Sequence, residues 1–315
     1  MTPRSNGTVE KLRNLSCPYC GRVFDCDSLQ ATVEHVIAKR FVPKGALDGS
    51  FNLLLQACEE CNNQKSQFEG EVSAITLQPD VAGRLAEQDP MLASEALRKG
   101  AGAQSSLTGK PVDQSDAEFI ASGEREGHLS INVRGPTGDL AFFKGQATLS
   151  IALRFVGPPQ LPGPVGVALA NMHVRAFVYW LSYDPGRQLG GLISHVLVDQ
   201  LVPRSDWGNS RMMAFQDQIS RGWEQGYAHS SSAARGFFRV RLQELADLPV
   251  IAWALEWNKN YRVVGYCGEE DHCKAAAGLL PDLARQVVSK EGDEQWRSRL
   301  EAPLAESDDR LFPST

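Results

Sequence analysis

A chain of 315 residues with 42% hydrophobic and 22% charged residues has the make-up of ordinary folded domains, which excludes a fibrous or wholly disordered protein and leaves room for two domains. Its 32 Lys and Arg against 38 Asp and Glu give a net charge of −6, which excludes a surface coated in positive charge for bulk nucleic-acid binding but not a local basic patch. The start is polar, and the most apolar long window, 165–183, is interrupted by Asn171, His173 and Arg175, so neither an export signal nor a membrane span is expected and a cytoplasmic location is the default.

Residues 1–78 read as one compact segment. Pro18 and Gly21 suit a tight knuckle, and the β-branched run from Ala31 to Ile37 predicts a strand. Pro43 to Ser50 has the Gly, Pro, Asp and Ser content of a loop, and Glu59 to Ile75 has helix-forming composition weakened at Gly70. Residues 79–127 read as a connector, with one or two helices between Asp80 and Lys99 broken at Pro90, then a small, polar loop over Gly100–Asp116. Residues 128–315 read as a larger mixed domain. Strands are expected over His128–Arg134 and Gln146–Val156, and helices over Val165–Tyr183, Leu189–Leu201 and Arg211–Tyr227. Antiparallel strands follow over Phe237–Leu242, Val250–Trp257 and Tyr261–Tyr266, the last two joined through Asn258–Asn260. Tyr179, Trp180, Trp253 and Trp257 fall at core spacings.

Seven cysteines, an odd number in a long chain, argue against a disulfide framework. Four of them form two pairs of identical spacing, Cys17-Pro-Tyr-Cys20 and Cys58-Glu-Glu-Cys61. As thiolates, these four would hold Zn²⁺ tetrahedrally, each two-residue spacer letting both sulfurs of a pair face one ion. The pairs stand 37 residues apart. An ordinary zinc ribbon has about 15 to 20, so something sizeable is inserted between the knuckles. Cys26 follows the first knuckle, but a site closed by four thiolates has no use for it. Cys267, His272 and Cys273 form a short run without a distant partner and read as a turn and helix start.

The insert carries Glu34-His35 and then Asn52-Leu53, and the second knuckle continues as Cys61-Asn62 with Lys65 three residues on. An acid-His pair, a loop Asn and a Cys-x-x-Cys-Asn-x-x-Lys in this order resemble the HNH endonuclease family, whose ββα-metal core is often braced by paired cysteines. The resemblance covers residues 14–70.

Phosphodiester hydrolysis needs a base for water and a cation for the charge that develops on phosphorus oxygens and leaving group. His35 can be the base, since neutral imidazole is abundant at physiological pH. Neighbours on a regular strand face opposite sides, so Glu34 and His35 serve one site only across a bend or bulge. The resemblance implies that Glu34 and Asn62 bind Mg²⁺ or Mn²⁺, that Asn52 holds His35 in orientation, and that Lys65 projects toward a phosphate. Glu34 stands where Asp is frequent and Asn62 where the family name expects His; both variants suit a hard, oxygen-loving cation. Asn63 takes the place of Asn62 if the helix starts one residue later.

Residues 1–45 hold seven basic and four acidic residues, and Lys39, Arg40 and Lys44 directly follow the proposed base, where a backbone phosphate would lie. Residues 79–315 hold 24 basic and 29 acidic residues, so the acidity sits mainly there. The expectation is therefore an α+β protein with a zinc-braced ββα-metal module joined to a larger C-terminal domain with antiparallel strands. It would be a metal-dependent endonuclease acting on DNA, with Zn²⁺ structural and Mg²⁺ or Mn²⁺ catalytic. Gating by the C-terminal domain, in phage defence or a mobile element, leaves room for a small-molecule or protein trigger, and a homodimer is expected where double-strand breaks are made. The competing expectation is a zinc-stabilised nucleic-acid or protein interaction module without catalysis.

Overall fold

The computed structural model describes residues 9–24, 30–80, 83–115, 117–122, 152–157, 161–221, 228–282, 285–287, 296–298 and 302–313. The alternating stretches of the first segment pair as a small sheet. β1 (Val9–Lys11), β2 (Ala31–His35) and β3 (Asn52–Cys58) run in the order β1-β3-β2, with β1 parallel and β2 antiparallel to β3. The register sets His35 opposite Leu54, Glu34 opposite Leu55 and Ala31 opposite Cys58. β3 continues without a linker into α1 (Glu59–Thr76), so Cys58 is both the last strand residue and the helix N-cap. Its thiol makes no cap hydrogen bond, while Glu59 and Glu60 lie in the first turn at the positive end of the helix dipole. The helix runs through Gly70, where an added Cβ would meet open space.

In the next segment Pro90 starts a helix instead of breaking one. α2 (Pro90–Gly102) has proline at its first position and Asp89 as N-cap, its carboxylate accepting from Met91 N at 2.8 Å. β4 (Ala117–Ser122) and β5 (Ala152–Gly157) pair antiparallel, so the end of the expected 146–156 strand is met; residues 128–134 and 146–151 lie outside the described residues.

The second unit is built on α3 (Gly163–Leu181), β6 (His195–Pro203), α4 (Ser210–Arg221), β7 (Ala228–Ala233), β8 (Phe238–Glu244), β9 (Val250–Trp257), β10 (Tyr261–Gly268) and α5 (Glu270–Gly278). β11 (Arg285–Val287) and β12 (Trp296–Ser298) form a short separate hairpin. Five strands make an antiparallel sheet in the order β6-β10-β9-β8-β7. One expected helix is a strand instead: residues 195–203 pair with β10 from Gly268 back to Tyr261. Local sequence makes the helix poor, and the edge of β10 offers a partner for an extended chain. Gly190 and Gly191 weaken any helix there, a Cβ at Gly190 would lie 2.2 Å from the Tyr179 carbonyl oxygen, and Val196, Val198 and Val202 favour an extended chain.

Alternation along β9 sends Trp253, Leu255 and Trp257 to one face of the sheet and Val250, Ala252 and Ala254 to the other. α4, α5 and the segment with Leu311 and Phe312 cover the second face. The first face meets α3 and the small N-terminal sheet in one continuous core. Phe41 packs edge-on against His173 at 5.7 Å and against Trp257 at 5.9 Å, and Phe51 lies 5.4 Å from Trp180. The four aromatic residues expected in the core, Tyr179, Trp180, Trp253 and Trp257, are all fully buried.

Polar contacts reinforce this union. Asn258 and Lys259 at the β9–β10 turn adopt positive φ, as a tight primed hairpin turn requires. Asn258 Nδ2 donates to Thr76 Oγ1 at 2.8 Å, and Asn260 Nδ2 donates to the carbonyls of Thr76 and Gln78 at 3.1 and 2.9 Å. The hairpin thus satisfies carbonyls that the end of α1 leaves without helical partners. Because Trp257 belongs to the core of both units, Trp257→Ala is expected to cost about 3–5 kcal/mol. Thermal unfolding should show both units melting in one transition at a lower temperature; a second unit that melts early while the N-terminal sheet stays folded would contradict the shared core.

Candidate metal centre and functional site

The first knuckle turns at Gly21, whose positive φ of 76° allows Gly21 N to donate to Cys17 O at 2.9 Å. This turn and the β3–α1 junction bring together Cys17, Cys20, Cys58 and Cys61, whose four sulfurs all lie within 4.8 Å of one another. Cys20 Sγ and Cys58 Sγ are 3.8 Å apart. A tetrahedron with metal–sulfur bonds of about 2.3 Å has edges of about 3.8 Å, so the spacing suits zinc. Arg22 donates from Nε to Cys20 Sγ at 3.3 Å and from Nη2 to Cys58 Sγ at 3.5 Å, and pairs with Glu60. Burial pushes the Cys17 thiol up to about 11 and raises Cys61 as well. Burial also opposes ionisation of Cys20, but the Arg22 hydrogen bonds outweigh it and bring that thiol down to about 7. Thiolates packed this closely repel one another, and a bound cation relieves that repulsion while displacing their protons.

The second cluster forms where β2 meets α1. Asn52 is buried and clamps the turn that follows His35: its Oδ1 accepts from Ile37 N at 3.3 Å and Leu53 N at 2.8 Å, and its Nδ2 donates to Ile37 O at 3.1 Å. It holds His35 through the backbone two residues on, not through the ring. The His35 imidazole is half-buried and makes no side-chain hydrogen bond among the described residues. Burial first, then the charges of Lys39 and Lys65, lower its pKa, which keeps the ring neutral.

Glu34 is buried one residue before the end of β2, and the chain bends directly after His35 at Val36 and Ile37, which is the bend that an acid and a histidine adjacent on a strand need to serve one site. Its Oε1 pairs with Lys65 Nζ at 2.7 Å and accepts from the Tyr19 hydroxyl at 3.2 Å. Burial raises the Glu34 pKa, partly offset by Lys65. Asn62 projects from α1 toward the same strand, with Nδ2 donating to Thr32 Oγ1 at 2.9 Å. Because α1 begins at Glu59, Asn63 faces solvent and Asn62 is the one set against β2.

Lys65 departs from the expectation that it points to a phosphate. It is completely buried, and its ammonium meets three acceptors: Glu34 Oε1, Glu69 Oε1 at 2.5 Å and the His35 carbonyl at 3.3 Å. An ammonium has three protons, so none is left for a substrate. Burial alone would lower its pKa, but Glu69 and Glu34 outweigh burial and keep it protonated. Lys39, Arg40 and Lys44, by contrast, are exposed on the segment after His35. Arg40 donates to Ser66 O at 2.7 Å, which ties this segment to α1.

Two partners escaped the sequence reading although signals existed. Tyr19 sits inside the first knuckle, and Glu69 stands at i+4 from Lys65, a spacing that pairs side chains on a helix. His173, which closes the cluster from α3 with Nε2 3.9 Å from Glu69 Oε1, had no local signal. Cys267 and Cys273 are buried in β10 and α5, and among the described residues the four cysteines form the one group of three or more His, Cys, Asp or Glu side chains close enough to share an ion; Cys26 lies outside the described residues. No described helix is long and apolar enough to cross a membrane.

Four sulfurs at zinc spacing lie beside an acid-His strand end and a Cys-Asn helix start. Residues 17–68 match the model of the HNH endonuclease family. Comparisons with curated proteins and with solved structures find no match. The HNH segment supports nuclease-type activity on a nucleic-acid substrate and carries a cluster suited to zinc. It ends within α1, so most of the chain lies beyond it.

Proposed function

We propose that the protein is a metal-dependent DNA endonuclease in which His35 is the general base and Glu34 and Asn62 hold the divalent ion. The observation that carries this reading is the His35 imidazole: half-exposed, without a side-chain partner among the described residues, its pKa lowered by burial, and set on a backbone pinned by Asn52 and Lys65. A carboxylate and a carboxamide oxygen are hard donors that fit Mg²⁺ or Mn²⁺. When bound, that ion supplies charge stabilisation at the scissile phosphate.

His35 takes a proton from water as the water oxygen bonds to phosphorus and the bond from phosphorus to the 3′ oxygen breaks, and the departing 3′ oxygen takes up a proton from solvent. The products are a 5′-phosphate and a 3′-hydroxyl. Lys39, Arg40 and Lys44 receive the DNA backbone, and the zinc centre keeps β3 and α1 in register beneath the site. The second unit supports the site through the hairpin at Asn258–Asn260 and through α3. Plasmid cleavage with Mg²⁺ or Mn²⁺, compared between wild type and His35→Ala, tests the proposal.

Phosphate contacts also have a separate signature. In an uncut complex formed without divalent ions, replacing Lys39 and Lys44 with Ala should weaken DNA binding evenly across sequences. The slope of log affinity against log salt should fall by about 2, near 0.9 per lost phosphate contact. Fluorescence anisotropy at several salt concentrations measures this, and an unchanged slope removes both lysines from the DNA interface.

A further inference from the structure

Lys65 is enclosed with two carboxylates, and the arrangement is asymmetric at Glu34. Oε1 of Glu34 receives both the ammonium, at 2.7 Å, and the Tyr19 hydroxyl, at 3.2 Å, whereas no hydrogen bond among the described residues reaches Oε2. Glu69 takes the other side of the ammonium and is walled off by His173, whose ring packs edge-on to Phe41, Phe238 and Trp257. All of these groups are buried, and a charge in such surroundings persists only when it is paired and hydrogen-bonded.

We propose that Lys65, held by Glu69, and Tyr19 are positioning residues that fix Oε1 of Glu34 and leave Oε2 as the ligand oxygen for the divalent ion. The inference rests on the reading of Glu34 as a ligand. A carboxylate pinned through one oxygen presents the other in a set direction, which is how outer partners tune a metal ligand. Glu69 matters through charge as well. With Glu69 ionised, the ammonium is shared between two anions and Glu34 keeps negative charge for the ion. With Glu69 neutral, the ammonium belongs to Glu34 alone, and ion and ammonium compete for one carboxylate.

The test measures Mn²⁺ binding to the zinc-loaded full chain by calorimetry or by the electron spin resonance signal of free Mn²⁺. Glu69→Gln is expected to weaken Mn²⁺ binding about ten-fold or more, and cleavage lost at low Mn²⁺ should return as Mn²⁺ is raised. Tyr19→Phe should act in the same direction by a smaller factor. If Glu69→Gln does not fold, Tyr19→Phe decides alone. A merely structural role lowers the melting temperature and leaves Mn²⁺ affinity within about two-fold of wild type, and that result overturns the proposal. Glu34→Gln separates the two readings. If it leaves Mn²⁺ affinity unchanged, Glu34 is not a ligand and both readings fall. If it abolishes binding while Glu69→Gln and Tyr19→Phe bind like wild type, only the positioning role falls.

Discussion

His35→Ala is expected to reduce plasmid cleavage by roughly 10² to 10⁴-fold, the range typical of a lost general base. The fold should survive, because the imidazole is half-buried and holds no hydrogen bond among the described residues. A stability change within about 1 kcal/mol and an unchanged zinc content are therefore expected. Cleavage is followed as conversion of supercoiled to nicked and linear DNA with Mg²⁺ or Mn²⁺. If the variant cuts as fast as wild type, the base is another group. If neither protein cuts under any of these conditions, the non-catalytic zinc-stabilised module becomes the better account. His35 makes a sharper test than Asn52, because removing Asn52 also removes three backbone hydrogen bonds and would mix chemistry with folding.

Removing the zinc should have the largest effect on stability. Structural zinc contributes about 10–16 kcal/mol in finger peptides, where the apo chain has no other core. Here the N-terminal sheet also packs against Trp180 and Trp257, so part of the fold survives without metal. A net loss near 5 kcal/mol, or roughly 10–20 °C in melting temperature, is expected for a chain of this size. Cys58→Ala is the most informative variant, since Cys58 is fully buried and joins β3 to α1. Metal analysis should find one zinc per wild-type chain, none in Cys58→Ala, and one in Cys26→Ala. A Cys58→Ala protein that keeps stoichiometric zinc and melts normally would rule out the four-thiol centre. Nuclease activity should fall with the metal as well, because Glu34 on β2 and Asn62 on α1 lose the brace that keeps their elements in register.

Much of the site was legible because its signals are short-range. Two Cys-x-x-Cys knuckles, an adjacent acid and histidine, and an asparagine directly after the second knuckle keep their meaning in any context that folds. The α1 boundaries were readable from helix-forming composition, and β9 was readable from a long apolar, β-prone run. Residues 189–201 were misread because apolar content alone does not separate a buried helix from a strand; the edge of β10 waiting for a partner decided the matter.

Lys65 shows where such reading stops. Its place after Cys61-Asn62 was plain, and so was its spacing from Glu69, but the direction of its side chain depends on Glu34 across the β2–α1 seam and on α3 closing over Glu69. The asparagines of the β9–β10 hairpin are a second instance. Asn258–Asn260 reads as a turn, yet nothing near it in the chain reveals that it caps α1, whose last residue is 182 positions away from Asn258. By itself, the sequence determined which four cysteines come together, the acid-His pair and the α+β character, because each follows from local spacing and periodicity. Only the tertiary structure decided which charges are open to substrate and which are enclosed, since burial and long-range pairing follow from how the second unit packs on the HNH segment.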